Sequence, residues 1–175
     1  MTQVRVWGRG VRVLHWLLAT SIAAAWYFSS ETGNAHLIAG YTAAATIAAR
    51  ASWGLLCGPR SARLVRSLRA TRLLPAYLQD IARNAERRYL GHNPLGSLMV
   101  LALLMVAAMV CLTGWLYTTD MFWGYGWLAW LHHALAWLLV VLVGLHLAGV
   151  AFTSLRGREN LIAAMLTGRK RRRVG

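Results

Sequence analysis

The sequence predicts an all-α protein, a transmembrane four-helix bundle with N and C termini cytoplasmic. Three observations lead there. Hydrophobic residues make up 58% of the 175 residues, and mean hydropathy is +0.46. Lys and Arg number 19 against 5 Asp and Glu, a formal net charge of +14. The apolar and the basic residues are segregated into separate blocks along the chain. Such charge alone suggests a nucleic-acid binder. Such hydropathy excludes a disordered basic tail and argues against a soluble nucleic-acid domain. Segregation reconciles the two as apolar spans joined by basic segments.

A helix needs about 20 apolar residues to cross a hydrocarbon core of about 30 Å. Val13–Ser30 is uncharged and predicts a first helix over about 11–30. A cleaved signal peptide is the alternative, with Arg5, Arg9 and Arg12 as its basic region. However, the run is long, contains His15, and has Trp26-Tyr27-Phe28 where small cleavage-site residues belong. A second helix is expected over about 35–57 and a third over about 94–118, with Asn93 as cap and Pro94 at its first position. Met121–Leu155 is too long for one span and too short for two. Gly124 and Gly126 among aromatics mark its start as a loop or interfacial segment, leaving a fourth helix over about 131–154. Between the second and third spans, residues 59–90 alternate leucines with arginines at helical spacing, as one or two amphipathic helices on the inner leaflet would. Residues 156–175 read as a basic cytoplasmic tail. The whole chain, 1–175, forms a single domain.

Orientation follows from the basic residues. With four spans, all 19 fall on one side. The turn after the first helix has Glu31 and no basic residue, and the loop before the fourth has Asp120 and none. Trp26, Trp115, Trp123, Trp127 and Trp130 gather at the opposite, outer interface, as an aromatic belt does.

Six histidines carry the chemistry, and an ionisable residue inside a membrane is a functional candidate by default. By depth they form two layers: His36 and His132 near the outer ends of helices 2 and 4, His15 and His146 near the inner ends of helices 1 and 4. Two facing histidines at one depth are what bis-imidazole haem ligation requires. On the fourth helix, 14 residues at 100° each bring His132 and His146 to one face, about 21 Å apart. His133 points roughly away and is the alternative outer ligand. Cys57 and Cys111 match no zinc spacing and no CxxCH motif, so haem would be held non-covalently. Gly40, Gly114, Gly144 and Gly149 could admit a porphyrin to the backbone, or mark close helix packing. Arg12 and Arg50 are candidate partners of haem propionates, and equally positive-inside anchors. His92, at the inner mouth of helix 3, is a candidate propionate or quinone contact, or a structural turn residue.

Arg12-Val13-Leu14-His15-Trp16, His36-Leu37-Ile38-Ala39-Gly40-Tyr41, Gly91-His92-Asn93-Pro94-Leu95-Gly96, Leu131-His132, Leu145-His146 and Gly157-Arg158-Glu159-Asn160-Leu161 occur in that order. In this ordered set the chain resembles the bacterial cytochrome b561 and hydrogenase-type cytochrome b family over nearly its whole length. The resemblance implies an inner-membrane bundle with two b-type haems, one held by His15 and His146, the other by His36 and His132. It implies electron transfer between the quinone pool and a periplasmic redox protein, such as a c-type cytochrome or a hydrogenase-like subunit. Some relatives act alone as superoxide:quinone oxidoreductases. That activity favours a positive funnel near the outer haem, and the outer loops here lack Lys and Arg. The chain departs from close relatives at His133, where they often carry an acidic residue, which bears on proton or partner contacts there. A haem-free membrane protein binding metal ions, or a transporter, is the rival class; two widely separated histidine layers suit it less. Nucleic acid is not an expected partner, since the basic tail follows a span and faces anionic lipid.

Overall fold

The structure, a computed structural model, describes residues 2–30, 33–54, 64–83, 85, 93–157 and 159–172. It is predominantly helical. A short strand β1 (Thr2–Arg5) leads into α1 (Arg9–Tyr27), then α2 (Ala35–Ser52), α3 (Leu64–Thr71), α4 (Leu74–Ala82), α5 (Pro94–Tyr117), α6 (Gly126–Gly157) and α7 (Leu161–Thr167), and strand β2 (Arg169–Arg172) follows. Two helices, α5 and α6, are long and apolar enough to cross a membrane. At 1.5 Å per residue, α6 with its 32 residues extends about 48 Å.

Close backbone packing joins α1 to α2, α2 to α5, and α5 to α6, while α3 and α4 lie on α5. The buried positions are mostly small: Ser21 on α1, Ala39, Ala43 and Thr46 on α2, Ser97, Ala107 and Thr113 on α5. Small residues let helix backbones approach, the pattern of contacts made where lipid offers no hydrophobic drive. Large apolar side chains point outward instead, among them Met105, Val141, Leu145, Leu147 and Leu155. An uncovered apolar surface of this extent requires an apolar surrounding or partner.

The boundaries differ from the sequence reading in instructive places. The fourth long helix starts at Gly126, not near Leu131. The chain turns through Thr118–Gly124, with Gly124 at φ 80°, and the Tyr125 carbonyl then accepts from Leu128 N and Ala129 N. Only Gly124 needs the left-handed conformation, so the aromatics after it are free to be helical. The amphipathic stretch is described as two helices, with Pro75 in the first turn of α4; residues 59–63, 84 and 86–90 lie outside the described residues, as do Cys57 and His92. Asn93 caps α5, its Oδ1 accepting from Gly96 N at 2.6 Å, and Pro94 follows at the first helical position. Its Nδ2 donates to the hydroxyl of buried Tyr77 at 2.7 Å, which ties α4 to the start of α5.

The expected tail is structured, and the expectation of helix alone misses a β-ribbon. Asn160 caps α7 by accepting from Ala163 N. Gly168, at φ 79°, ends that helix and turns the chain into β2, which pairs antiparallel with β1 in the register Thr2–Arg172 to Arg5–Arg169. The Gly168 carbonyl accepts from Val6 N and Trp7 N. Trp7 and Val11 are buried beneath, with Val6 and Met165 against them. The two ends of the chain are thereby clasped together beside the start of α1.

Candidate functional site

The site is built on one side of α6. Its residues His132 and His146 lie on a common face, and each meets a histidine of another helix. His36, in the first turn of α2, lies with its ring centroid 6.2 Å from that of His132. His15, on α1, lies 6.5 Å from His146. The helices involved, α1 and α2 against α6, approach through side chains rather than close backbone contact, with the Trp26 and Trp137 rings bridging the same divide at 4.9 Å.

These separations are compatible with two imidazoles on one metal. Imidazole nitrogens bind first-row metals at about 2.0–2.1 Å, and a ring centroid lies about 1.1 Å behind the nitrogen, so two imidazoles on one metal have centroids about 6.3 Å apart. Both pairs are at that spacing. Direct ring stacking or a hydrogen bond between the rings would draw them closer. Among the described residues no group of three or more His, Cys, Asp or Glu forms. Two axial ligands suffice for haem iron, whose remaining ligands come from the porphyrin, whereas a bare zinc centre takes three or four from the protein.

The hydrogen bonds around His36 and His132 set their tautomers. His36 Nδ1 lies 2.8 Å from the Ala25 carbonyl. Ala25 is in the last turn of α1, where carbonyls run out of helical partners. A carbonyl only accepts, so Nδ1 carries the proton and Nε2 keeps its lone pair. His132 Nδ1 lies 3.1 Å from Thr113 Oγ1. The hydroxyl proton of Thr113 is directed to its own helix, to Met109 O at 2.9 Å and Val110 O at 3.0 Å. With the hydroxyl proton so directed, its lone pair matches the tautomer of His132 that is protonated at Nδ1. Ligating histidines characteristically donate their second nitrogen in this way.

His132 also explains a glycine. A Cβ on Gly114 would stand 3.0 Å from His132 Cε1 and 3.5 Å from Nδ1. The bare backbone of α5 seats the imidazole, so of the two sequence readings of Gly114, porphyrin approach and close helix packing, this position serves the second. Gly40, Gly144 and Gly149 differ, since a Cβ at each would meet nothing within 4 Å. They border open space, as the approach of a flat ligand requires.

His133 is exposed, with Nδ1 2.8 Å from the Ala129 carbonyl of its own helix. Its ring lies 6.2 Å from that of His132 and is not brought against His36. Arg12 reaches the clasp at the chain ends, where Nη1 donates to the Leu166 carbonyl. Arg50 lies in the last turn of α2, half-buried. His92 lies outside the described residues. Sequence reasoning missed Thr113 and the Ala25 carbonyl; a threonine next to a glycine in a span was the only signal of the former.

Two pairs of histidines, each with its rings at a separation compatible with a shared metal, lie along one apolar helix. A model of the prokaryotic cytochrome b561 family matches residues 6–168, and the chain belongs to that family. Membership brings b-type haem and membrane electron transfer as the family's general chemistry. Comparison with curated proteins gave no match, and comparison with solved structures gave none.

Proposed function

We propose that this chain is a four-span, di-haem cytochrome b of the bacterial cytoplasmic membrane, passing single electrons between the quinone pool and a periplasmic redox protein such as a c-type cytochrome or a hydrogenase-like subunit. The observation that carries the reading is the pair of histidine pairs on one face of α6. His15 and His146 would hold one haem, and His36 and His132 the other. Bound there, haem b supplies reversible one-electron chemistry at iron. The residues do the rest. The Ala25 carbonyl and Thr113 hydroxyl hold two imidazoles with Nε2 free. Helix α6 spaces its two ligands about 21 Å apart, a distance that leaves two stacked macrocycles edge to edge within tunnelling reach and together spanning much of a bilayer core. Large outward-facing apolar side chains keep water from the centre of the bundle.

Four spans, not two, are supported by the company α1 and α2 keep. Each is 18 or 19 residues long, enough at 1.5 Å per residue to cross about 28 Å, and each packs on an apolar neighbour through small residues. The basic residues support cytoplasmic termini, and the clasp places both chain ends together. Trp115, Trp123, Trp127 and Trp130 are exposed at the opposite end, where a membrane-interface belt would lie. Arg50 keeps its candidacy as a propionate partner, while Arg12 has one nitrogen committed to Leu166. Among the described residues each centre offers two ligands, which disfavours a haem-free metal site.

The test is a spectrum. Purified protein reduced with dithionite should show a b-type α band, and pyridine haemochrome should give two haems per chain. His36→Ala and His132→Ala should remove the same haem, His15→Ala and His146→Ala the other. A folded but colourless protein overturns the reading.

A further inference from the structure

We propose that Thr113, on a helix that supplies no haem ligand, sets the reduction potential of the haem held by His36 and His132. The inference rests on the di-haem reading above and concerns what one hydroxyl adds to it.

Threonines in this chain commonly return their hydroxyl to a carbonyl one turn back, as Thr20, Thr42, Thr46 and Thr167 do. That is ordinary behaviour for a threonine within a helix. Thr113 does the same and something more. It is buried, at 6% exposure, and its oxygen also lies 3.1 Å from His132 Nδ1. With its proton returned to the Met109 and Val110 carbonyls, the oxygen offers a lone pair to the protonated Nδ1 of the ring, and the adjacent Gly114 lets the ring come to it.

An acceptor on Nδ1–H increases the basicity of the ligating nitrogen. A more basic ligand stabilises ferric over ferrous iron, and hydrogen bonding of this kind is one of the levers a protein has on haem potential. The opposite ligand, His36, is polarised by a backbone carbonyl, which no substitution removes. On the His132 side the hydrogen-bond partner is a side chain, that of Thr113, beside the backbone of Val110. Thr113 is a positioning residue, acting on the iron through His132.

Thr113→Val keeps shape and removes the acceptor, whereas Thr113→Ser keeps the hydroxyl. Full-length protein carrying its haems would be titrated spectroelectrochemically and resolved into two components, assigned by which one His36→Ala lacks. The expected result for Thr113→Val is two haems per chain, with that component shifted toward easier reduction by about tenfold in its equilibrium, or about 59 mV for one electron. The component that His15→Ala lacks stays in place, and Thr113→Ser stays at the native value for both. Unchanged potentials in Thr113→Val, or a shift confined to the other component, overturn the proposal. If Thr113→Val fails to hold its haem, Thr113→Ser decides. Retention at the native potential supports the hydroxyl as the operative group, and loss of the haem there too overturns it in favour of packing. Native protein with fewer than two haems sinks the di-haem reading itself, a result visible before any variant is made.

Discussion

Gly114→Ala is the sharpest steric test of the site. The added carbon would stand 3.0 Å from His132 Cε1, while carbon atoms rest comfortably at about 3.5–4.0 Å. The ring must therefore retreat by about 0.5–1 Å. It cannot do so freely, because Nδ1 is tethered to Thr113 at 3.1 Å, so it pivots and carries Nε2 off its line toward His36. Metal–ligand bonds tolerate about 0.2 Å. A displacement larger than that should weaken haem retention at this pair by about 10- to 100-fold, the usual effect of disturbing a ligand's support, or about 1.4–2.8 kcal/mol at 1.4 kcal/mol per tenfold. The assay is haem occupancy by pyridine haemochrome as haem is titrated into apoprotein, with the His15–His146 component as internal reference. Gly157→Ala is the steric control, since its Cβ meets no atom of the chain within 4 Å and it lies at the end of α6, beyond both histidine pairs. Two haems bound with native affinity in Gly114→Ala would refute the seat.

Three further outcomes follow from other parts of the molecule. His133→Ala should keep both haems and both potentials, because its nitrogen bonds to its own helix; loss of a haem, read by haemochrome, would transfer the ligand role to it. Gly168→Ala places a Cβ 2.7 Å from the Trp7 carbonyl at a φ of 79°, so it should cost about 1–3 kcal/mol, visible as a lower melting temperature and faster amide exchange in β1 and β2. Apoprotein should melt well below holoprotein, because few backbone contacts hold α6 to α1 and α2. Ligand present at about 1,000 times its dissociation constant adds about 4 kcal/mol, and equal melting temperatures would argue against haem spanning that divide.

The histidine pairing was legible because two constants of the α-helix, 1.5 Å and 100° per residue, convert spacing in one helix into depth and face. The family resemblance agreed with it but was not needed to find it. Helices α5 and α6 were legible from uninterrupted apolar runs. What escaped was information that resides between elements. Thr113 lies 19 residues before His132, and nothing in either helix's own pattern announces that they touch. Gly114 was noticed with two readings left open, because a glycine advertises room without saying for what. The ribbon was read as part of a basic cytoplasmic tail because arginine-rich strands bury little; its pairing joins Thr2–Arg5 to Arg169–Arg172, and the local signals, Asn160 as cap and Gly168 as stop, concern only α7. The start of α6 was misplaced because one positive φ, at Gly124, ended the turn sooner than the glycine and aromatic content suggested.

The same sequence achieves close packing and separation with different residues, and the division bears on why the chain folds with room for a cofactor. Where α1, α2 and α5 pack, the buried positions include Ser21, Ala39, Ala43, Thr46, Ala107 and Thr113, small side chains that let backbones approach, while α6 buries Leu128, Leu135 and Leu139. Where α6 faces α1 and α2, the positions carry His and Trp, whose bulk holds the backbones apart. In lipid a leucine gains nothing by turning inward, so the large aliphatic side chains need not fill that gap and can face out. Helix α5 connects the two regimes. It packs closely on α2 and on α6, and through Thr113 and Gly114 it also seats a ligand that belongs to α6. A substitution that loosened α5 would thus disturb the His36–His132 pair from both sides, through α2 and through α6. The His15–His146 pair depends on α1 and on the clasp of chain ends beside it. The two centres share one helix but rest on different supports, which lets each be perturbed without the other.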